Sequence, residues 1–178
     1  MSDRDFTPLG GETLHEGKIF TLRQERFRFT DDGAEVDREI IRHPGAVGIV
    51  VHDDTNVYLV RQPREAVGDP DVLEIPAGRL DHDGEAPEAT ARRELAEEIG
   101  MAAERWEALT AFWSSVGVMD EEVHLFLASG LSKAEADSGE MERIEIVPWP
   151  LDDLDGVIAA TRDAKTLIGL LLLRDRRR

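Results

Sequence analysis

Three glutamates fall within five positions of the stretch RRELAEEIG, residues 92–100. On a helix that advances about 100° per residue, Glu94 and Glu98 stand about 40° apart, and Glu97 lies about 60° to the other side of Glu94. The three carboxylates therefore share one arc. Like charges at i,i+4 spacing repel by roughly 0.2–0.5 kcal/mol per pair. Such an arc is either solvated or arranged around a cation. The chain has no cysteine, and its five histidines, His15, His43, His52, His82 and His124, are scattered without ligand spacing. Clustered carboxylates alone suit hard cations, Mg²⁺ or Mn²⁺, rather than zinc. Magnesium keeps several waters and shares phosphate oxygens, so the chemistry this arc could serve is phosphate chemistry.

The elements that must position the acids can be read around them. Pro87 suits a first helical position, where its missing N–H costs nothing. Ala91, Leu95 and Ile99 form an i,i+4,i+8 apolar stripe on a neighbouring face, and Gly100 is a natural stop. Before this helix, the glycine- and aspartate-rich loop of residues 78–85 follows a short extended segment, VLEIPAG, which Pro76 ends. AVGIVVHD, residues 46–53, is a continuous apolar run, as in a strand buried on both faces, and VYLVRQ, residues 57–62, is a second strand. Residues 18–29 and 36–44, joined by TDDGAE, predict a β-hairpin. Residues 106–115, 122–129 and 142–149 read as further strands, and LDDLDGVIAATR and AKTLIGLLLLRDRRR as closing helices. Residues 1–16 read as a loose arm and 132–142 as a polar loop. The alternation makes an α+β domain with a mixed sheet.

Composition narrows the partners. Among 178 residues, 38 are acidic and 21 basic, for a net charge of −17. A surface of this sign repels nucleic-acid phosphates and anionic lipid, so neither nucleic acid nor membrane is an expected partner. The N-terminus has no apolar core of a secretory signal, and the longest apolar run, residues 167–173, is far too short to span a bilayer. A cytoplasmic location is the expectation.

A solvated acidic face would account for the glutamates alone. It does not account for Gly78, Glu85, Arg93, Glu94, Leu95, Glu97, Glu98, Gly100 and Met101 together. These resemble the Nudix box, a Gly–loop–Glu followed by R-E-U-x-E-E-x-G-U with U aliphatic. Residues 85–101 match at every defined position. One departure lies in the loop, where six residues, RLDHDG, separate Gly78 from Glu85 and the family pattern has five. The resemblance implies an α/β/α Nudix sandwich and metal-dependent hydrolysis of a nucleoside diphosphate linked to another moiety. It implies Glu94 and Glu98 as the main ligands of Mg²⁺ or Mn²⁺, with Glu97 in the same cluster and Ala77 contributing its backbone carbonyl. Glu85 and Arg93 would orient these groups.

The flanks are similar to the ADP-ribose pyrophosphatase group. The likeness runs through residues 61–78, 38–50, 112–131 and the final DAKTLIGLLLL, and so covers residues 17–176. It implies ADP-ribose and water going to AMP and ribose 5-phosphate. Other nucleoside diphosphate sugars, a dinucleotide such as NADH, or a catalytically silent ligand-binding Nudix module are the alternatives. Where that group carries S-P-G-x-x-x-E, this chain has Val116 in place of the proline. Glu121 falls at the position of the loop glutamate, the candidate general base, with Glu122 the competing choice by a one-residue slip. Arg61 and Arg64 are candidates for the phosphates and Phe29 for stacking on the base. The resemblance further implies a single Nudix domain over residues 17–178, whose extension, residues 17–44, builds a homodimer.

Overall fold

The computed structural model describes residues 5–82, 84–134 and 143–178. The chain divides into two compact units: Met1–Pro44 with Trp113–Glu122, and Gly45–Phe112 with Val123–Arg178.

The first unit is a three-stranded antiparallel sheet in the order β1-β2-β3, with β1 Phe6–Glu16, β2 Thr21–Phe29 and β3 Glu35–Arg42. The expected hairpin is β2 and β3, in a register that sets Leu22 opposite Ile41 and Arg26 opposite Asp37. The loose arm expected over residues 1–16 is corrected from Phe6 onward. Phe6–Glu16 is a strand exposed along its whole length and paired with β2 from Phe6↔Phe29 to Glu16↔Thr21. Pro8, Gly10 and Gly11 erase any apolar alternation, so this strand exists through backbone pairing with β2 and not through its own pattern. Phe6 meets Phe27 edge-on at 5.3 Å between ring centroids.

The second unit contains β4 Ala46–His52, β5 Asn56–Arg64, β6 Asp69–Glu74, β7 Ala77–Arg79, α1 Pro87–Ile99, all but the last residue of β8 Met101–Trp113, all but the first residue of β9 Glu122–Lys133, β10 Glu145–Pro150, α2 Leu154–Ala160 and α3 Ala164–Arg176. The sheet runs β10-β5-β4-β9-β8, with β6 added to β5 and β7 to β4. β4 pairs parallel with β9 and antiparallel with β5 and β7, so the sheet is mixed. Both faces of β4 are covered, which is why its sequence is a continuous apolar run. Val47, Ile49 and Val51 share a buried cluster with Ala91, Leu95 and Ile99 of α1. Val50 belongs to a second cluster with Val157 of α2 and Leu170 and Leu173 of α3. These layers are the expected α/β/α arrangement. Helix α1 starts at Pro87 and ends at Gly100, whose φ of 65° lets its N–H cap the last turn. Residues 135–142 of the expected polar loop lie outside the described residues.

Candidate active site

Helix α1 is anchored by its apolar stripe. Leu95 is fully buried, and removing such a side chain from water contributes about 1.5–3 kcal/mol. The stripe fixes the helix's rotation, and the neighbouring arc carries the acids toward β7. β7 is held on β4 by the pairs Ala46↔Arg79, Val47↔Gly78 and Gly48↔Ala77. The backbone N–H of Ala77 donates to Glu98 Oε2 at 3.0 Å. A Cβ built on Gly78 would stand 2.0 Å from the Glu94 carboxyl carbon. Only glycine lets that carboxylate lie against the strand.

Arg93 gathers the acids. Its Nη1 donates to Glu94 Oε1 at 2.8 Å and to Glu97 Oε2 at 3.0 Å. Its Nη2 lies 3.5 Å from both Glu85 Oε2 and Asp81 Oδ1, while its buried Nε has no hydrogen-bond partner among the described residues. Glu85 is also fixed from the helix, because the buried Thr90 donates its hydroxyl to Glu85 Oε2 at 2.9 Å. The extra residue in the loop therefore leaves Glu85 in reach of α1. Gly84 takes up the turn with a φ of 78°.

Burial pushes the Glu94 carboxyl above the usual carboxylate range. Arg93 opposes this, and the charges of Glu97 and Asp81 reinforce it. An acid crowded by burial and by like charges is in the state that a nearby cation would relieve. The available donors are carboxylate oxygens and a strand carbonyl, a set that fits a hard divalent ion. Among the described residues, no three acids or histidines converge as metal ligands do, and the Arg93 guanidinium holds them instead.

The structure thus brings Ala77, Glu85, Arg93, Glu94, Glu97 and Glu98 together. Arg64 joins them at one remove. Its Nε and Nη2 fork onto Glu74 at 2.6 and 2.8 Å, and the negative charge of Glu98 contributes to raising its pKa. Arg61 lies on β5 with Nε 3.5 Å from Asp71 Oδ1. Phe29 and Glu121 belong to the first unit. Phe29 is half-buried at the end of β2, and its N–H donates to the Ala34 carbonyl at 2.9 Å. Glu121 directly precedes β9, whose first residue is Glu122, and its Oε1 lies 3.4 Å from His43 Nδ1.

Sequence reasoning missed Asp81, Thr90, Glu74 and Lys165. Glu74 is 3% exposed and is bound by Lys165 as well as by Arg64. Thr90 had a signal, since it lies three positions before Arg93 on the same helix. Glu74 had none, because nothing local marks an acid that is paired 91 residues away.

The family model described as NUDIX domain matches residues 42–168. An ADP-ribose pyrophosphatase of Mycobacterium tuberculosis is 44% identical over 132 residues, 74% of this chain and 63% of that protein. The match thus spans under two thirds of that relative's length. An ADP-ribose pyrophosphatase of Bacillus subtilis is 38% identical, covering 98% of this chain and 95% of that protein. A methanol dehydrogenase activator of Bacillus methanolicus is 37% identical over 92% of each. The crystal structure of an ADP compounds hydrolase superposes with a TM-score of 0.86 at 24% identity, over 98% of this chain and 95% of that one, and shows the same fold.

Proposed function

The chain belongs to the NUDIX domain family, and from that premise we propose that it hydrolyses ADP-ribose to AMP and ribose 5-phosphate with the help of a divalent metal. The observation that carries this reading is the acid face of α1 held against β7, with Glu98 on the Ala77 N–H and Glu94 against Gly78. The names of two relatives supply the substrate.

Glu94, Glu98, Glu97 and the Ala77 carbonyl would hold Mg²⁺ or Mn²⁺, which when bound would neutralise the diphosphate and acidify water. Arg93 and Glu85 keep the carboxylates aligned through charge-assisted hydrogen bonds. Glu121 accepts the proton of the attacking water. The water oxygen adds to one phosphorus, and the bond from that phosphorus to the bridging oxygen breaks. Arg61 and Arg64 hold the phosphates. Arg64 does so with Nη1 and the outer edge of Nη2, since its other donors face Glu74. Phe29 stacks on adenine. The active form is a cytoplasmic homodimer built through residues 17–44, within one Nudix domain over residues 17–178. None of the helices among the described residues is long and apolar enough to cross a membrane.

The test is a panel of ADP-ribose, GDP-mannose, NADH and other nucleoside diphosphate derivatives with Mg²⁺ and with Mn²⁺, products being resolved by anion-exchange chromatography. Equimolar AMP and ribose 5-phosphate from ADP-ribose, abolished by chelation, is the expected result. Preference for another member would move the substrate, and hydrolysis of none would overturn the enzyme reading.

A further inference from the structure

The segment that carries Glu121 is not a free loop. After β8, a turn at Ser115 is closed by the N–H groups of Val118 and Met119, both donating to the Ser115 carbonyl. The chain then lies along β3 as an added parallel edge, through a bridge between Ile41 and Met119. The Ile41 N–H donates to the Val118 carbonyl at 2.8 Å, and the Asp120 N–H donates to the Ile41 carbonyl at 3.2 Å. Side chains lock the same register. Asp120 accepts from the His43 backbone N–H on Oδ1 at 2.8 Å and from Arg42 Nη1 on Oδ2 at 2.9 Å. Arg42 is itself fixed, because its Nη2 forks onto Glu25 of β2 at 2.9 and 2.7 Å. Arg23 holds Glu25 from the same face at 3.0 Å. A chain of charge-assisted bonds therefore runs Arg23–Glu25–Arg42–Asp120, and the next residue is Glu121.

We propose that Asp120 is a positioning residue, which with Arg42 and the His43 backbone clamps the segment to β3 and so sets where Glu121 presents its carboxylate. The proposal rests on the reading of Glu121 as the base. One carboxylate satisfies the backbone donor just past the end of β3 and a cation on β3 at once, so its two oxygens fix both the position and the rotation of the segment. The neighbouring residue then has only its own side-chain torsions to search. A base that must meet one water gains most from such restriction, since misplacement by about 1 Å can cost on the order of 10²-fold in rate. The clamp also differs from ordinary loop packing. Val116 and Val118 are exposed, at 80% and 42%, and of the segment's apolar side chains only Met119 is half-buried, so polar contacts contribute most of what holds it.

The experiment uses the full chain with ADP-ribose and saturating metal. Asp120→Asn keeps an oxygen for the His43 N–H but turns a donor toward Arg42. Its kcat should fall about tenfold or more, with KM within about threefold of wild type. Arg42→Gln, which attacks the same contact from the other side, should behave alike, and the double variant should be no worse than the poorer single one. In a Glu121→Gln background, Asp120→Asn should cost less than about twofold further. Amide hydrogen exchange at Ile41 and Asp120 should quicken in both clamp variants while the β2–β3 amides keep their protection. If Glu121→Gln abolishes turnover but Asp120→Asn leaves kcat intact, or costs the same in both backgrounds, the clamp is overturned and the base stands. If Glu121→Gln is fully active, the base reading fails and the clamp's part in turnover fails with it. Unchanged exchange at Ile41 and Asp120 would overturn the clamp irrespective of activity.

Discussion

Gly78→Ala asks the most of the site with the fewest atoms. The added Cβ would sit 2.0 Å from the Glu94 carboxyl carbon and 2.2 Å from its Oε1, where ordinary contact begins at 3.4 Å. The carboxylate must therefore retreat by the difference, about 1.4 Å. The atoms in the way are the far end of a flexible side chain, so the fold accommodates the methyl by turning Glu94 aside. Gly78 does not need a positive φ, and alanine there restricts the unfolded chain, which favours folding by about 0.4–1 kcal/mol. The two effects on stability nearly cancel. The effect on turnover does not, because a ligand displaced by more than 1 Å costs on the order of 10²-fold. Steady-state hydrolysis of ADP-ribose and a thermal melt should therefore disagree: kcat down about 10²-fold, Tm within a few degrees. Gly48→Ala makes the contrast. Its Cβ would meet Leu125 and Ile75 side chains at 2.7 and 3.0 Å, so overpacking should destabilise the fold by about 1–3 kcal/mol and lower Tm, with kcat near wild type. Turnover of Gly78→Ala within about threefold of wild type would refute the placement of Glu94 against β7, or its part in catalysis.

Glu98→Gln keeps an oxygen for the Ala77 N–H but loses the charge, so kcat should fall at least ~10²-fold, about 2.7 kcal/mol of barrier, with little change in Tm. Glu94→Gln should also lose turnover, yet melt higher than wild type without metal at neutral pH. Its folded pKa is raised by burial, so the ionised form destabilises the fold above the unfolded pKa, and an uncharged isostere removes that cost; a lower melt would contradict the burial. Saturating Mg²⁺ or Mn²⁺ should raise the Tm of wild type and not that of the Glu94→Gln, Glu98→Gln double variant. Lys165→Met should shift acid unfolding to higher pH and cost about 1–3 kcal/mol near neutrality, read by denaturant titration across pH. Burial alone would raise the Glu74 pKa, but Arg64 and Lys165 outweigh it and hold it below its ordinary 4.5. The stability this contributes is therefore full above about 4.5 and lost as pH falls through the folded value; without Lys165 that loss begins earlier.

The acid arc was legible in the chain because helical spacing is local. Pro87, Gly100 and the stripe of Ala91, Leu95 and Ile99 bound and orient α1 without reference to anything distant, and the structure has that helix between the same ends. The buried run of β4 was legible for the same reason, since cover on both faces needs apolar residues at every position. β1 was not. Its pairing is made by backbone groups that every sequence carries, and its Pro and Gly residues hide it. Likewise, Arg64 and Arg61 looked alike as cations before a phosphate site. Only side-chain contacts made in the fold separate them: Arg64 forks onto the buried Glu74, whereas Arg61 lies beside the exposed Asp71. The sequence set which carboxylates share a face and what they could hold. Tertiary structure alone decided that Gly78 makes room for Glu94, that Arg93 gathers Glu85 from beyond a lengthened loop, and that Asp120 finds Arg42 across 78 positions. The physical reason is that charge and periodicity act between chain neighbours, whereas register and packing select one distant partner among many of the same type.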